Sequence, residues 1–208
     1  ILTLGAKFMK KSQLAIKLSK IESFQRPKIS LEQYITPPQL ASDILHTAWM
    51  QGDIEEKKVV DLGTGTGIFA IGAALLGAEE VIAVEKDEDA IKIAEENAEE
   101  LGVRGKISFV IADVENFECK CDTVIMNPPF SVHSDIDIGF IQKAVELGKT
   151  VYSVSHPGAR KAIKDFVANS SHVIKALEEY EISLPPTYGF HTEERRETEI
   201  DVLITRRS

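Results

Sequence analysis

Val59-Val60-Asp61-Leu62-Gly63-Thr64-Gly65-Thr66-Gly67 decides the fold of this chain. Val59 to Leu62 is a short apolar run rich in β-branched residues, the pattern of a strand buried on both faces. Glycine then recurs at every second position, and Ile68 to Leu76 follows as an apolar helix. Glycines between a strand and a helix let backbone approach a ligand at the carboxyl edge of a sheet. The spacing is G-x-G-x-G, not the dinucleotide G-x-G-x-x-G, and an acid, Asp61, precedes it.

The same alternation continues outward. Glu80 to Glu85, Ile107 to Ile111, Thr123 to Met126 and Thr150 to Val154 read as strands. Helices are predicted over Asp87 to Leu101, with Asp87 as N-cap and Gly102 as stop, over Asp137 to Leu147 and over Ala159 to Asn169. Val173 to Ile182 and Ile200 to Thr205 read as two last strands joined by a polar, proline-bearing loop, hence an antiparallel pair. The pattern is α/β: a seven-stranded, mostly parallel sheet with an antiparallel C-terminal strand and helices on both faces. Ahead of it, Lys10 to Ser23 reads as an amphipathic helix broken by Pro27, and Pro37-Pro38 opens a second helix, Gln39 to Met50. Residues 1–50 therefore form a helical extension, and 51–208 the α/β domain. Ile1 to Phe8 is apolar without a charged start or a cleavage site, and reads as non-native sequence before a start at Met9.

At 208 residues, with 43% hydrophobic and 27% charged residues, the composition is that of a globular protein. A net charge of −9 argues against a surface that coats nucleic acid broadly. Charge is uneven, however. Lys7 to Lys20 holds five lysines and no acid, and the tail carries Arg195, Arg196, Arg206 and Arg207. These ends suit local contact with RNA, with Lys10, Lys11, Lys17 and Lys20 as candidates; a solvated helix face is the plainer alternative. Cys119 and Cys121 are one residue apart, which suits neither a zinc ribbon nor a redox motif, so reduced thiols in the cytoplasm are expected and no metal site is read.

Three acids close three successive strands: Asp61, Glu85 and Asp113. Asp61 beside a glycine loop suits a ligand with a positive group. Glu85 can accept from two ribose hydroxyls, and Asp113 can receive an adenine amine. Singly, each is as readily a cap or turn residue. In this order they describe a pocket for an adenosine joined to an amino acid, S-adenosylmethionine, over Gly63, Gly65 and Gly67.

Asn127-Pro128-Pro129-Phe130 ends the strand Thr123 to Met126. Two prolines force the chain out of the sheet and leave one amide, Asn127, at its edge. Alone, this is equally a strand ending in a rigid turn. Beside a methyl donor it suits a nucleobase amine. The Asn127 side-chain oxygen and the Pro128 carbonyl would each accept one amine hydrogen, with Phe130 stacked on an unpaired base.

With the glycine loop, Glu85 and Asp113-Val114, this corner resembles the Rossmann-like class I methyltransferases that modify amino groups. Leu31-Glu32-Gln33-Tyr34-Ile35-Thr36-Pro37, Val124 to Phe130 and Val151-Tyr152-Ser153 more specifically resemble methyltransferase-like protein five and its archaeal relatives, from about Met9 to the C-terminus. The resemblance implies N6-methylation of an adenosine in small-subunit ribosomal RNA. Gln33 and Thr36 would border S-adenosylmethionine with Gly63, Glu85, Asp113, Val114 and Asn127, and residues 127–130 would hold the adenine. It also implies a small zinc-binding activator subunit. Relatives carry His where Ser155 stands, with His156 next to it, and the loop 131–135 lacks their glycine and basic residues. Phe190-His191 matches and would face RNA or cofactor; His46, His133 and His172 read as ordinary surface or capping residues. Guanine-N2 methylation of ribosomal RNA, glutamine methylation of a protein, and a catalytically silent scaffold are the alternatives.

Overall fold

The computed structural model describes residues 9–28, 31, 33–129, 134–184 and 196–208. Its strands are β1 Lys58–Leu62, β2 Glu80–Glu85, β3 Ile107–Ile111, β4 Thr123–Met126, β5 Thr150–Ser155, β6 His172–Leu184 and β7 Arg196–Arg207. They form one sheet in the order β3-β2-β1-β4-β5-β7-β6. The first five are mutually parallel, and β7 runs antiparallel to both β5 and β6. The expected architecture is present.

The two faces follow from the two-residue period of a strand. Val59, Val81, Ala83, Ile125, Tyr152 and Ile204 point to one side, where α1 (Lys11–Leu18), α2 (Pro38–Met50) and α3 (Ile68–Leu75) pack. Val60, Leu62, Val84, Val124, Met126 and Leu203 point to the other, where α5 (Ser134–Leu147) and α6 (Arg160–Ala168) lie. Close packing of α2 on α3 depends on Gly72, where any side chain would run into Leu45. Helix α4 (Glu88–Glu100) starts where Asp87 accepts the Asp89 N–H at 3.1 Å, and stops at Gly102, φ 71°.

Helix α1 is shorter than its sequence pattern. It ends at Leu18, well before Pro27. Asn97 of α4 accepts the Glu22 N–H at 2.8 Å and donates to the Glu22 and Thr66 carbonyls. That contact takes the backbone groups a longer helix would need. Leu14, Leu18 and Ile21 are buried, while Ile16, on the opposite side, is 64% exposed.

The C-terminal arginines are committed internally. Arg206 donates to Asp53 at 2.6 Å, beside the Tyr152 hydroxyl, also 2.6 Å from the same oxygen. Arg207 donates to the carbonyls of Val145, Glu146 and Gly148. Arg206 is thus paired with a carboxylate, while Arg207 is exposed and bonds only neutral carbonyls; Arg195 lies outside the described residues. His172 is buried against Thr205 rather than on the surface, His46 packs on Trp49, and His156 accepts the Gly158 N–H as a cap. His133 lies outside the described residues. Both cysteines are free, and burial pushes the Cys121 thiol up to about 12. Among the described residues no helix is long and apolar enough to cross a membrane.

Candidate active site

Strands β1 and β4 are neighbours whose connections leave toward opposite edges of the sheet, which opens a crevice at their carboxyl ends. A cavity of about 450 Å³ lies there, within the span usual for small-molecule sites. Gly63 and Gly65, Glu85, Asp113, Val114 and Asn127 line it, as do Gln33, Thr36 and Pro129.

The glycine loop is pinned to β2: the Gly63 and Thr64 N–H groups both donate to the Val84 carbonyl at 2.9 Å. Gly63 has φ 73° and Gly65 φ 54°, both in the left-handed region. A Cβ on Gly65 would stand 3.1 Å from the Phe24 ring, and one on Gly63 3.3 Å from the Phe140 ring. These two positions are bare backbone under two aromatic rings. Gly67 does not line the cavity. A Cβ there would meet Ala94 and Ile71 at 3.1 and 3.2 Å, so its bareness serves the packing of α3 on α4.

Asp61 is not in the cavity wall either; it is 1% exposed beneath the loop. Its Oδ2 accepts the Thr64 hydroxyl at 2.6 Å and the Ala70 N–H at 2.9 Å, and its Oδ1 is buried without a hydrogen-bond partner. Burial pushes the carboxyl up to about 7, against the hydrogen bonds from Thr64 and Ala70. A strand residue turned toward α3 could not also reach the crevice, so Asp61 shapes the loop rather than meeting a ligand.

Glu85 Oε2 accepts the Gly65 N–H at 3.1 Å, and Oε1 accepts from Lys86 and Asp87 at 2.9 and 3.1 Å. A carboxylate has about four acceptor positions, so one stays open toward the cavity. Asp113 accepts the Glu115 N–H at 3.0 Å and caps a short 3-10 turn, Val114–Asn116. The capping and the lining roles of these acids coexist.

Phe24, Leu31 and residues 33–36 line the cavity as a strap ahead of α2. Gln33 holds it: Nε2 donates to Asp87 Oδ2 at 2.6 Å, and Oε1 accepts the Lys28 N–H at 2.9 Å. The Lys28 ammonium reaches the other Asp87 oxygen at 2.6 Å. Burial alone would raise the Asp87 carboxyl, but the bonds from Lys28 and Gln33 outweigh it and hold it below its ordinary value. Gln33 thus borders the cavity but spends its amide on the strap.

At the other wall, Asn127 Nδ2 donates to Thr36 Oγ1 at 2.8 Å. The Tyr34 hydroxyl lies 3.4 Å from Asn127 Oδ1 and 3.3 Å from the Pro128 carbonyl. Phe130, the expected stacking ring, and His191 lie outside the described residues. Phe24, Tyr34 and Phe140 also line the cavity, and no sequence motif assigns them a role there. Tyr34 stands inside the Leu31 to Pro37 string, and only the fold places it on the corner 93 residues away.

The family model for ribosomal protein L11 methyltransferase (PrmA) matches residues 44–131, from α2 to just past the Pro-Pro corner. The Danio rerio rRNA N6-adenosine-methyltransferase METTL5 is 35% identical over 203 residues, covering 94% of this chain and 98% of that protein. This chain belongs to the METTL5 family. A METTL5 protein of Drosophila melanogaster is 33% identical, over 88% of this chain and 90% of its own. The structure of PH1948 from Pyrococcus horikoshii is 39% identical with a TM-score of 0.88, covering 97% of this chain and 99% of that one. These METTL5-type matches extend to the strap and to the β6–β7 hairpin, beyond the span shared with the L11 methyltransferase model.

S-adenosylmethionine fits the residues present. Bare glycine backbone, where a Cβ would crowd the cavity's rings, makes the floor, and Glu85 and Asp113 line it beyond β2 and β3. Gly63, Gly65, Glu85, Asp113 and Val114 would hold it.

Proposed function

We propose that this METTL5-family chain methylates N6 of an adenosine in small-subunit ribosomal RNA, with S-adenosylmethionine as donor. One observation carries the choice of an exocyclic amine as acceptor, and the rRNA N6-adenosine activity named for the METTL5 relatives supports adenine among the bases that bear one. Asn127 Oδ1 and the Pro128 carbonyl both lie within 3.4 Å of a single point, the Tyr34 oxygen. An exocyclic amine nitrogen placed at that point donates one hydrogen to each oxygen. Thr36 fixes the amide so that its oxygen, not its nitrogen, faces that point.

S-adenosylmethionine supplies a methyl group on a sulfonium, which leaves readily. The chain's own task is to prepare the nitrogen. An amine conjugated to a ring is a poor nucleophile; two acceptors on its hydrogens favour a pyramidal nitrogen and turn its lone pair out of the ring plane. Most of the acceleration is positioning. The methylated ammonium is acidic and loses its proton without a dedicated base. Phe130 is assigned the stacking role, and Pro129 holds the corner rigid.

Residues 51–208 form the catalytic unit in this reading, and the extension up to residue 50 carries the strap. Lys10, Lys17 and Lys20 are assigned to RNA phosphates; Lys11 is bonded to Asp43 at 2.8 Å and contributes less. Neutralising all four is expected to weaken RNA binding and flatten its dependence on salt, measured by anisotropy across a salt series. An unchanged slope would make α1 a structural helix. A small zinc-binding activator subunit is the proposed partner. What supports a protein partner is β3, an edge strand with Ile111 55% exposed. A cytoplasmic location fits ribosomal RNA as substrate.

The function is tested by mass spectrometry of small-subunit ribosomal RNA nucleosides from cells lacking the chain. Loss of N6-methyladenosine is expected. Loss of N2-methylguanosine instead, or no change, would overturn the assignment.

A further inference from the structure

Asp87 does not line the cavity, yet the strap that does is fastened to it. Its Oδ2 accepts the Gln33 amide at 2.6 Å, and its Oδ1 accepts both the Lys28 ammonium at 2.6 Å and the Asp89 N–H at 3.1 Å. Asp87 and Gln33 are each 7% exposed, so water competes little for the bond between them. Gln33 Oε1 in turn accepts the Lys28 N–H at 2.9 Å. A carboxylate only accepts and a backbone N–H only donates, so the Gln33 amide fits one way round. Lys28 also reaches Asp89 at 3.0 Å, but that carboxylate is 70% exposed and holds it weakly. Glu85 Oε1 accepts the Asp87 N–H at 3.1 Å. The fastening of the strap and a carboxylate of the cavity wall thus share one turn of backbone.

We propose that Asp87 is a positioning residue of the donor site: through Gln33 and Lys28 it latches the strap over the cavity, and the donor leaves only when that latch parts. The inference rests on S-adenosylmethionine occupying the cavity. Phe24, Leu31, Gln33, Ile35 and Thr36 line it from the strap, and Phe24 stands over Gly65. Thr36 stays bonded to Asn127 at 2.8 Å, so the Asp87 end is the one that opens. Opening breaks bonds to a buried charge, and that cost sets the rate of release. Asn at position 87 separates the latch from the helix cap, because Asn caps a helix as Asp does. With its oxygen on the Asp89 N–H, its NH2 group faces the NH2 group of Gln33. Turning Gln33 over only moves the mismatch to the Lys28 N–H. The charge that holds the Lys28 ammonium is lost as well.

The test is release of donor by the purified full chain. Protein loaded with isotopically labelled S-adenosylmethionine is chased with excess unlabelled donor. Asp87→Asn is expected to speed release by about ten- to a hundredfold, with Tm changed little. Without donor, trypsin should cut after Lys28 faster by a similar factor, because it samples the parted strap. In a Lys28→Met, Gln33→Met background, Asp87→Asn should add less than about twofold, since the latch is already gone. A residue that only caps α4 would act equally in both backgrounds. Unchanged release, unchanged cutting, or equal acceleration in both backgrounds would overturn the proposal. Should Asp87→Asn fail to fold, the Lys28→Met, Gln33→Met pair decides, for it must itself speed release about tenfold or more. The two readings fail separately. If the wild type binds no S-adenosylmethionine, the reading of the cavity is lost and the latch with it. If it binds donor and Asp87→Asn releases it no faster, only the latch is lost.

Discussion

Asn127→Ala is expected to lower kcat for methyl transfer to RNA by about a hundred- to a thousandfold. The substitution removes one of the two acceptors that shape the amine, leaving only the Pro128 carbonyl. Affinity for S-adenosylmethionine should stay within about threefold of wild type, because the Asn127 amide nitrogen is held by Thr36 and, among the described residues, no hydrogen bond joins Asn127 to the glycine loop or Glu85. Single-turnover kinetics and calorimetry of the same preparation separate the two quantities. A variant that loses cofactor affinity in step with turnover would place Asn127 in the donor pocket instead. Thr36→Val keeps the shape of the side chain but removes the hydroxyl that orients the amide. A smaller fall in kcat is expected there, since Asn127 retains its oxygen but no longer a fixed orientation.

Gly65→Val should act at the opposite wall with the opposite signature. Gly65 has φ 54°, a conformation that costs an L-residue roughly 1–2 kcal/mol. Its new Cβ would stand 3.1 Å from the Phe24 ring, a crowding worth about 1–3 kcal/mol. Together these approach or exceed the ~2.8 kcal/mol of a hundredfold change. Phe24 can give by a few tenths of an ångström, but relieving the backbone strain moves the Gly65 N–H off Glu85 Oε2, which it now meets at 3.1 Å. Cofactor affinity should fall by about a hundredfold or more, while RNA affinity measured without cofactor changes little. Retained cofactor affinity in a folded variant would mean that the glycine loop is not the floor of the donor site.

The centre of the fold was legible in the sequence for a simple reason. Strands β2, β3 and β4 have the bounds read from sequence, since each is a compact apolar run cut off by charge, glycine or proline. The outer strands were read short. The apolar run of β6 ends at Ile182 and that of β7 begins at Ile200, yet the two pair from His172 to Leu184 against Arg196 to Arg207. Those extra rungs hold a hairpin arm together by backbone bonds, and polar residues such as Ser183 and Glu197 give no apolar signal there. The apolar spacing of α1 runs on past Leu18, and nothing local announces that Asn97 will claim Glu22.

The site divides in the same way. Glu85, Asp113 and Asn127 stand at strand ends, so strand prediction alone brings them to one edge. Asp61 and Gly67 carry the same motif but serve the loop and helix packing, because side-chain direction is set by the pleat and by α4, which a motif does not encode. Tyr34 and Phe24 reach the cavity through the strap. That placement depends on Gln33 and Lys28 meeting Asp87 across 54 and 59 residues of sequence, a tertiary contact with no periodic signature.

In the proposed reaction the Asn127–Pro128 corner presents an adenine amine to the donor methyl. The most direct measurement incubates the purified chain with isotopically labelled S-adenosylmethionine and unmodified small-subunit ribosomal RNA, then digests the RNA and resolves its nucleosides. Label in N6-methyladenosine, lost with Asn127→Ala, is the predicted result. Label in N2-methylguanosine, or equal label with Asn127→Ala, would contradict it.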